Sequence, residues 1–428
     1  MGTIFNREQR DWLLPCAVFF LMLVFSSRDI GGSAINPYLT TLLISGIAVI
    51  LPYSQIVAYA SFMLPLSCGI QSAFWVVVLG CLLFKGYKLS LSTIIMFVVV
   101  FLLELFGQIQ YDGTNVIVKN TIFYLVSFFL VMYLTMNANK NVDVSLNIRY
   151  FIYGTTFLFL MIFGRVIIEE GIDEVMAGAL RYSMDDKDLA QDYVFFTNAN
   201  NLGLYSSVCF ATLLLGSKRL GIPQILYIPI LILIVSGGAL SLSRTWLITS
   251  ILSLVLFLFI SPKNKVFLSV LLICGIVALL AFNMTILEPL YEMFEERLTA
   301  DDIENGAGRT DLFDLYHNFF TANPRYWLTG TGAVYYLSVC RQPNSIHNML
   351  QQIYICYGFV GAAAFLTYFI NIFRNNKKYV RHIVQYLPIV IYLIFAQTVQ
   401  IVNPIYCMYP LVLAVYCLQI YKHSSYEL

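Results

Sequence analysis

A series of apolar runs, most of them long enough to cross a bilayer, limits the fold of this chain more than any other feature. They fall near residues 12–27, 37–52, 54–67, 70–84, 89–106, 121–136, 149–168, 200–216, 225–240, 242–260, 266–287, 348–372, 383–402 and 405–421. A hydrocarbon core takes about 20 apolar residues per helix. Backbone groups in lipid must find their partners inside the structure, which leaves helices or closed barrels. A barrel would alternate apolar and polar residues in segments of about 10, and these runs are continuous. The expected fold is therefore an all-α polytopic transmembrane bundle with 14 candidate spans. Spans two to four are short and broken at Pro52 and Pro65, so the expected number of helices runs from 11 to 14. Charged residues make up only 11% of the chain, against roughly 25% in soluble domains.

Nine cysteines lie mostly inside the apolar runs without ligand spacing, and only Cys340 falls in a polar loop. They read as small core residues rather than a disulfide framework. The first run lacks a small-residue cleavage site and is not read as a removed signal peptide. The start MGTIFN lacks the hydroxyl residue that myristoylation needs.

Lysine and arginine set the orientation. With the N-terminus inside, the inner loops hold KGYK (85–88), Lys140 to Arg149, SKR (217–219), SPKNK (261–265), RNNKKYVRH (374–382) and the tail YKH (421–423). The other side holds two long segments, 169–199 and 288–346. The first has eight acids against Arg181 and Lys187; the second has nine acids, four arginines and no lysine. Both termini are expected in the cytoplasm and both long segments outside. Three regions follow: transmembrane helices in 1–287 with the outer loop 169–199, a large extracytoplasmic loop in 288–347, and transmembrane helices with a cytoplasmic tail in 348–428.

The run GGALSLSRTWLIT (237–249) sets Arg244 among apolar residues, with no acid between Asp192 and Glu288. The topology puts it at the outer mouth, where Gly237 and Gly238 permit a sharp turn. Two readings stand: an arginine that snorkels to the interface, or a charge kept for a ligand.

The segment 306–348 reads GAGRTDLFDLYHNFFTANPRYWLTGTGAVYYLSVCRQPNSIHN. Leu312, Phe313, Leu315, Tyr316, Phe319 and Phe320 recur at helical spacing, predicting an amphipathic helix that Pro324 ends. Arg309 falls at or beside the start of that helix, where orphan N–H groups and a guanidinium could share one anion. The GTG at 330–332 allows a tight turn or close backbone approach. His347 and Asn348 stand at the entrance to the next membrane helix. Arginine suits phosphate because its planar fork donates two hydrogen bonds and stays charged. Histidine accepts or donates a proton near neutrality. The bland readings are an Arg309 pair with Asp311 or Asp314, and a His347 that merely caps; His317 is read as structural. Residue spacing alone yields an outward-facing anion site.

These elements together resemble the O-antigen polymerase and O-antigen ligase superfamily of bacterial membrane glycosyltransferases. The resemblance rests on SLSRT at a helix mouth, then GR, P, GTG and HN opening a helix, with YGFVG (357–361) beyond. FTNANNLGLY (196–205) is similar to that family's Asn-Leu-Gly element, and the likeness covers about residues 196–372. It implies a glycosyltransferase in the bacterial cytoplasmic (inner) membrane. Such an enzyme takes a glycan from undecaprenyl pyrophosphate at the outer face and hands it to an acceptor hydroxyl. It implies that Arg244 and Arg309 bind the lipid-linked pyrophosphate and that His347 serves the acceptor. Arg28, Arg165, Asn201 and Asn348 join as expected substrate contacts, and Asp29, Glu169 and Asp173 as other candidate bases. Tyr316, Tyr326, Trp327, Tyr335 and Tyr336 are candidates to stack on sugars or to form an interfacial belt. No cofactor, metal or nucleic acid is expected. The expected partners are the lipid-linked donor, the glycan acceptor, membrane lipid and a chain-length regulator protein.

The expected activity is a polysaccharide polymerase that joins lipid-linked repeats. The alternatives are a ligase acting on lipid A-core or another acceptor, and a flippase for lipid-linked oligosaccharide. A transporter would show internal repeats and ionisable residues near the midplane. No repeat is seen, and Glu104 is the one acid well inside an apolar run.

Overall fold

The computed structural model describes residues 7–33, 35–86, 89–111, 115–136, 142–176, 195, 197–260, 309–342, 344–402 and 405–422. Every regular element among them is helical. In chain order we label α1 (Arg7–Asp29), α2 (Pro37–Ile50), α3 (Tyr53–Met63), α4 (Ala73–Lys85), α5 (Leu91–Gln110), α6 (Asn115–Met136), α7 (Val144–Glu170), α8 (Ala199–Leu213), α9 (Gln224–Leu240), α10 (Arg244–Ile260), α11 (Arg309–Ala322), α12 (Met349–Asn376), α13 (Leu387–Phe395) and α14 (Tyr409–Leu418).

Five of the described helices, α1, α5, α6, α7 and α12, are long and apolar enough to cross a membrane. Shorter apolar helices accompany them at α2, α4, α9, α10, 383–395 and 405–418. Fourteen full spans are not confirmed. The candidate span 266–287 and the first part of the expected loop, 288–308, lie outside the described residues. The two final candidates are helical only in part, with 396–402 running between α13 and the short turn Ile405–Met408 without regular structure.

Polar residues start the helices where the sequence offers them. Ser90 accepts from Thr93 N–H ahead of α5, and Asp143 accepts from Leu146 N–H ahead of α7. Each satisfies one of the orphan donors of a first turn. Large apolar side chains such as Leu42, Ile95, Ile109, Ile228, Phe259 and Leu366 are exposed on the rim of the bundle. An apolar surface of that extent belongs in lipid rather than water. The interior is built differently: every residue of α14 is buried, and it packs against α6, α7, α8 and α13.

The tightest crossing is α3 on α7. A Cβ at Gly154 would overlap the Phe62 carbonyl oxygen of the facing backbone, so this position must be glycine for the helices to meet. Overpacking a core ordinarily costs about 1–3 kcal/mol. Here the obstacle is backbone, and Gly154→Leu is expected to reach at least the top of that range. Thermal unfolding in detergent checks this against Gly46→Leu, where nothing lies within 4 Å and no loss is expected.

Candidate active site

Arg244 is presented by a strained turn. Helix α9 continues through Gly237 and Gly238 to Leu240, and the chain reverses at Ser241, Leu242 and Ser243. The glycine pair therefore does not make the turn. It makes room: a Cβ at Gly238 would overlap the Trp246 indole, and one at Gly237 would come within 2.5 Å of Phe159. The turn itself rests on Leu242, fully buried with φ 49°. A side chain in that left-handed region costs roughly 1–2 kcal/mol, and such strain concentrates at functional sites. Packing offsets it here. Ser241 Oγ donates to Gly238 O at 2.6 Å, and Trp246 Nε1 donates to Ser206 Oγ at 2.8 Å. Arg244, half-buried, is the first residue of α10.

A second helix start faces a cleft. Asn348 caps α12 by accepting from Gln351 N–H at 3.0 Å. Met349 N–H donates to Ala396 O at 3.1 Å, so the irregular segment after α13 lies against the same helix end. Tyr316 Oη on α11 donates to Asn344 O at 2.6 Å. Burial pushes the Tyr316 hydroxyl up from its ordinary pKa, so it remains a neutral donor. Between α11 and α12 opens a cleft of about 250 Å³ lined by Leu312, Phe313, Ile346, His347, Asn348, Gln351 and Gln397. Arg309 is the first residue of α11, one turn before Leu312 and Phe313; its side chain lies outside what the structure describes.

Arg244 does not line this cleft, but it sits at the same end of the bundle. A Cβ at Gly203 of α8 would lie 2.9 Å from Ser243 and 3.2 Å from Phe395. Ser243 precedes Arg244, and Phe395 stands two residues before Gln397. The N-termini of α10, α11 and α12 are thereby gathered at one end. Each such helix end carries partial positive charge, which favours an anion.

The expected outer loop does not stay on a surface. Helix α12 is broken at Gly358, with φ 61° and ψ −160°. The freed backbone groups are met by residues 327–332. Thr331 N–H donates to Ile355 O at 3.0 Å and Gly332 N–H to Cys356 O at 2.8 Å. In return Phe359 N–H donates to Trp327 O at 2.8 Å and Val360 N–H to Leu328 O at 3.1 Å. Non-helical backbone survives inside such a bundle only when protein satisfies it. Gly330 and Gly332 adopt φ of 70° and 79°, which confirms the tight GTG turn. Glu104 secures the far side of the loop. Its Oε1 accepts from Ala333 N–H and from Tyr357 Oη, both at 2.7 Å. Tyr124 pairs with the Tyr357 hydroxyl, and Thr121 with that of Tyr335. The sequence marks Glu104 only as an acid in an apolar run, with no partner.

The remaining candidates are placed elsewhere. Arg165 donates to the Asp29 carbonyl at 2.8 Å and pairs with Glu169 one turn on. Arg28 donates to Gly69 O at 3.2 Å and lies over the Phe25 and Phe195 rings. Asn201 is buried, donating to Thr197 Oγ1 and Tyr406 Oη while Cys407 Sγ donates to its oxygen. These side chains tie helices together. None of them lines the cleft, and neither Asp29, Glu169 nor Asp173 does. The aromatic set also divides: Tyr316, Tyr326, Tyr335 and Tyr336 are buried core, and only Trp327, 41% exposed, faces out. The stacking surface expected of the tyrosines is therefore absent at those four positions. No sequence pattern marks Gln351 or Gln397, yet both line the cleft. Gln397 reaches the cleft from an irregular segment that no local pattern marks. Among the described residues no three His, Cys, Asp or Glu side chains gather as a metal site.

Residues 229–366 match a family model described as O-antigen ligase, over about a third of the chain. The matched span contains Arg244, Arg309, His347, Asn348, the GTG turn and the break at Gly358. None of the curated proteins searched matches the chain.

Proposed function

We propose that this chain, whose residues 229–366 match the O-antigen ligase family model, is a polysaccharide polymerase. It joins undecaprenyl-pyrophosphate-linked repeats at the outer face of the bacterial cytoplasmic membrane, with both termini inside. The observation that carries this reading is the gathering of three helix N-termini beside a cleft lined by His347.

Arg244 and Arg309 hold the donor pyrophosphate, aided by the first-turn N–H groups of α10 and α11. The acceptor hydroxyl enters the cleft. Its oxygen forms the new bond to the anomeric carbon from the face opposite the pyrophosphate. The bond from that carbon to the pyrophosphate oxygen breaks, and the lipid pyrophosphate leaves with the electron pair, so configuration inverts. The hydroxyl proton goes to the His347 imidazole, the titratable group among the described cleft residues. Arginine charge stabilises the leaving pyrophosphate without a metal ion.

The test is turnover in proteoliposomes supplied with a lipid-linked repeat, with Arg309→Ala and His347→Ala alongside wild type. A product ladder from wild type that falls at least about a hundredfold in both variants, with unchanged thermal unfolding, supports the reading. Ladders from either variant at the wild-type rate would sink it. A ligase is the second reading, favoured by the description of the matching family model. It would give one product on an added acceptor and no ladder.

A further inference from the structure

Three amide side chains line the cleft beside His347, and they are not equivalent. Asn348 is fully engaged, its oxygen capping α12 and its Nδ2 donating to Gln397 O at 3.5 Å. Gln351 donates from Nε2 to Phe313 O across the cleft at 2.8 Å. Gln397 donates from Nε2 to Leu393 O at 3.2 Å. Both contacts are to carbonyl oxygens, which only the NH₂ end of an amide can serve, so the orientation of each amide is fixed. The oxygen of each is thereby directed away from its anchor. Among the described residues neither oxygen takes part in a hydrogen bond.

Two anchored amide oxygens are acceptors only. A phosphate or pyrophosphate also presents acceptors and gains nothing from them. A saccharide ring presents neighbouring hydroxyl donors, which match them. The apolar wall fits as well, since Phe313 is 47% exposed beside Leu312 and Ile346. Sugar rings carry an apolar C–H face that such a wall receives. We propose that Gln351 and Gln397 form the acceptor-sugar subsite, accepting from ring hydroxyls next to the one held at His347. This rests on the glycan-transfer reading and adds a polarity to it. The sugar lies between α12 and the 396–397 segment, and the pyrophosphate lies toward the arginine-bearing starts of α10 and α11.

The test is saturation-transfer NMR on the full chain in detergent, with a panel of methyl hexosides and their single-deoxy analogues at millimolar concentration. Wild type is expected to bind at least one hexoside and to lose binding when one hydroxyl is removed. Gln351→Leu and Gln397→Leu are each expected to weaken that hexoside by about tenfold, the scale of a lost hydrogen bond in a half-buried site. Binding of inorganic pyrophosphate should be unchanged in both, which shows that the helix starts remain assembled. Gln397→Leu leaves the α11 to α12 contact intact and guards against a Gln351→Leu that fails to fold. Hexoside binding that ignores both substitutions, or no binding by any member of the panel, overturns the subsite. Hexoside binding that needs the glutamines in a protein with no glycan transfer would instead keep the subsite and remove the transferase reading.

Discussion

Glu104→Leu is expected to abolish glycan transfer, while Glu104→Gln keeps it within a few-fold of wild type. The leucine removes the one acceptor shared by Ala333 N–H and Tyr357 Oη. Leaving a buried donor unserved costs about 1–3 kcal/mol, and the loop at 331–336 loses anchoring on that scale. That loop leads through Tyr336, which packs on Tyr316, to the segment where Tyr316 holds Asn344 three residues before His347. Displacing a catalytic group by about 1 Å can cost a hundredfold in rate. Glutamine keeps the oxygen and drops the charge. The measurement is polymer formation by both variants at matched protein level, with thermal unfolding recorded in parallel. A proton-coupled carrier would lose function in both variants, since glutamine cannot exchange a proton. Equal inactivity of Gln and Leu variants would therefore defeat the anchoring role.

Gly330→Val is expected to be as damaging, for a backbone reason. Gly330 has φ 70°, and a Cβ there would run into the peptide between Cys356 and Tyr357 at the break in α12. No rotamer relieves that overlap because both partners are main chain. The valine should prevent the loop from seating, eliminate activity and lower the unfolding temperature by several degrees. Gly216 is the control: φ is 93°, nothing lies within 4 Å, and it joins α8 to a short surface turn. Gly216→Ala should cost only the strained backbone conformation itself, roughly 1–3 kcal/mol. Circular dichroism melts of the two variants separate steric exclusion from conformational strain. Equal losses would mean that the seat at Gly330 is dispensable.

What could be read from the sequence was local. The spacing of Leu312, Phe313, Tyr316 and Phe320, closed by Pro324, marked α11, and the helix does begin at Arg309. The glycines of GTG marked a turn that needs positive φ. Asn348 ahead of an apolar run marked the start of α12. Two readings failed because several structures share one local pattern. Paired glycines serve a turn or a close packing contact, and Trp246 and Phe159 decide for packing. Tyrosines in an apparent loop suit a sugar platform or a core, and docking into the α12 break decides for the core. Contacts between distant residues left no local trace. Glu104 and Ala333 are 229 residues apart, and Gln397 meets Asn348 only because α13 stops where it does.

The complete burial of α14 bears on how the molecule is made. A ten-residue helix with no lipid-facing side has little to gain from entering a bilayer by itself. Its partners α6, α7, α8 and α13 all precede it in the chain. During synthesis they must remain apart, or part again, to admit it. The assembled bundle is thus closed from within by a segment that arrives late. Until then the site it will fill exposes Thr212, which meets Cys417 of this helix, and Ser61, which meets Tyr416. Interrupting synthesis before this helix should leave a hydrated, protease-sensitive intermediate rather than a smaller stable protein.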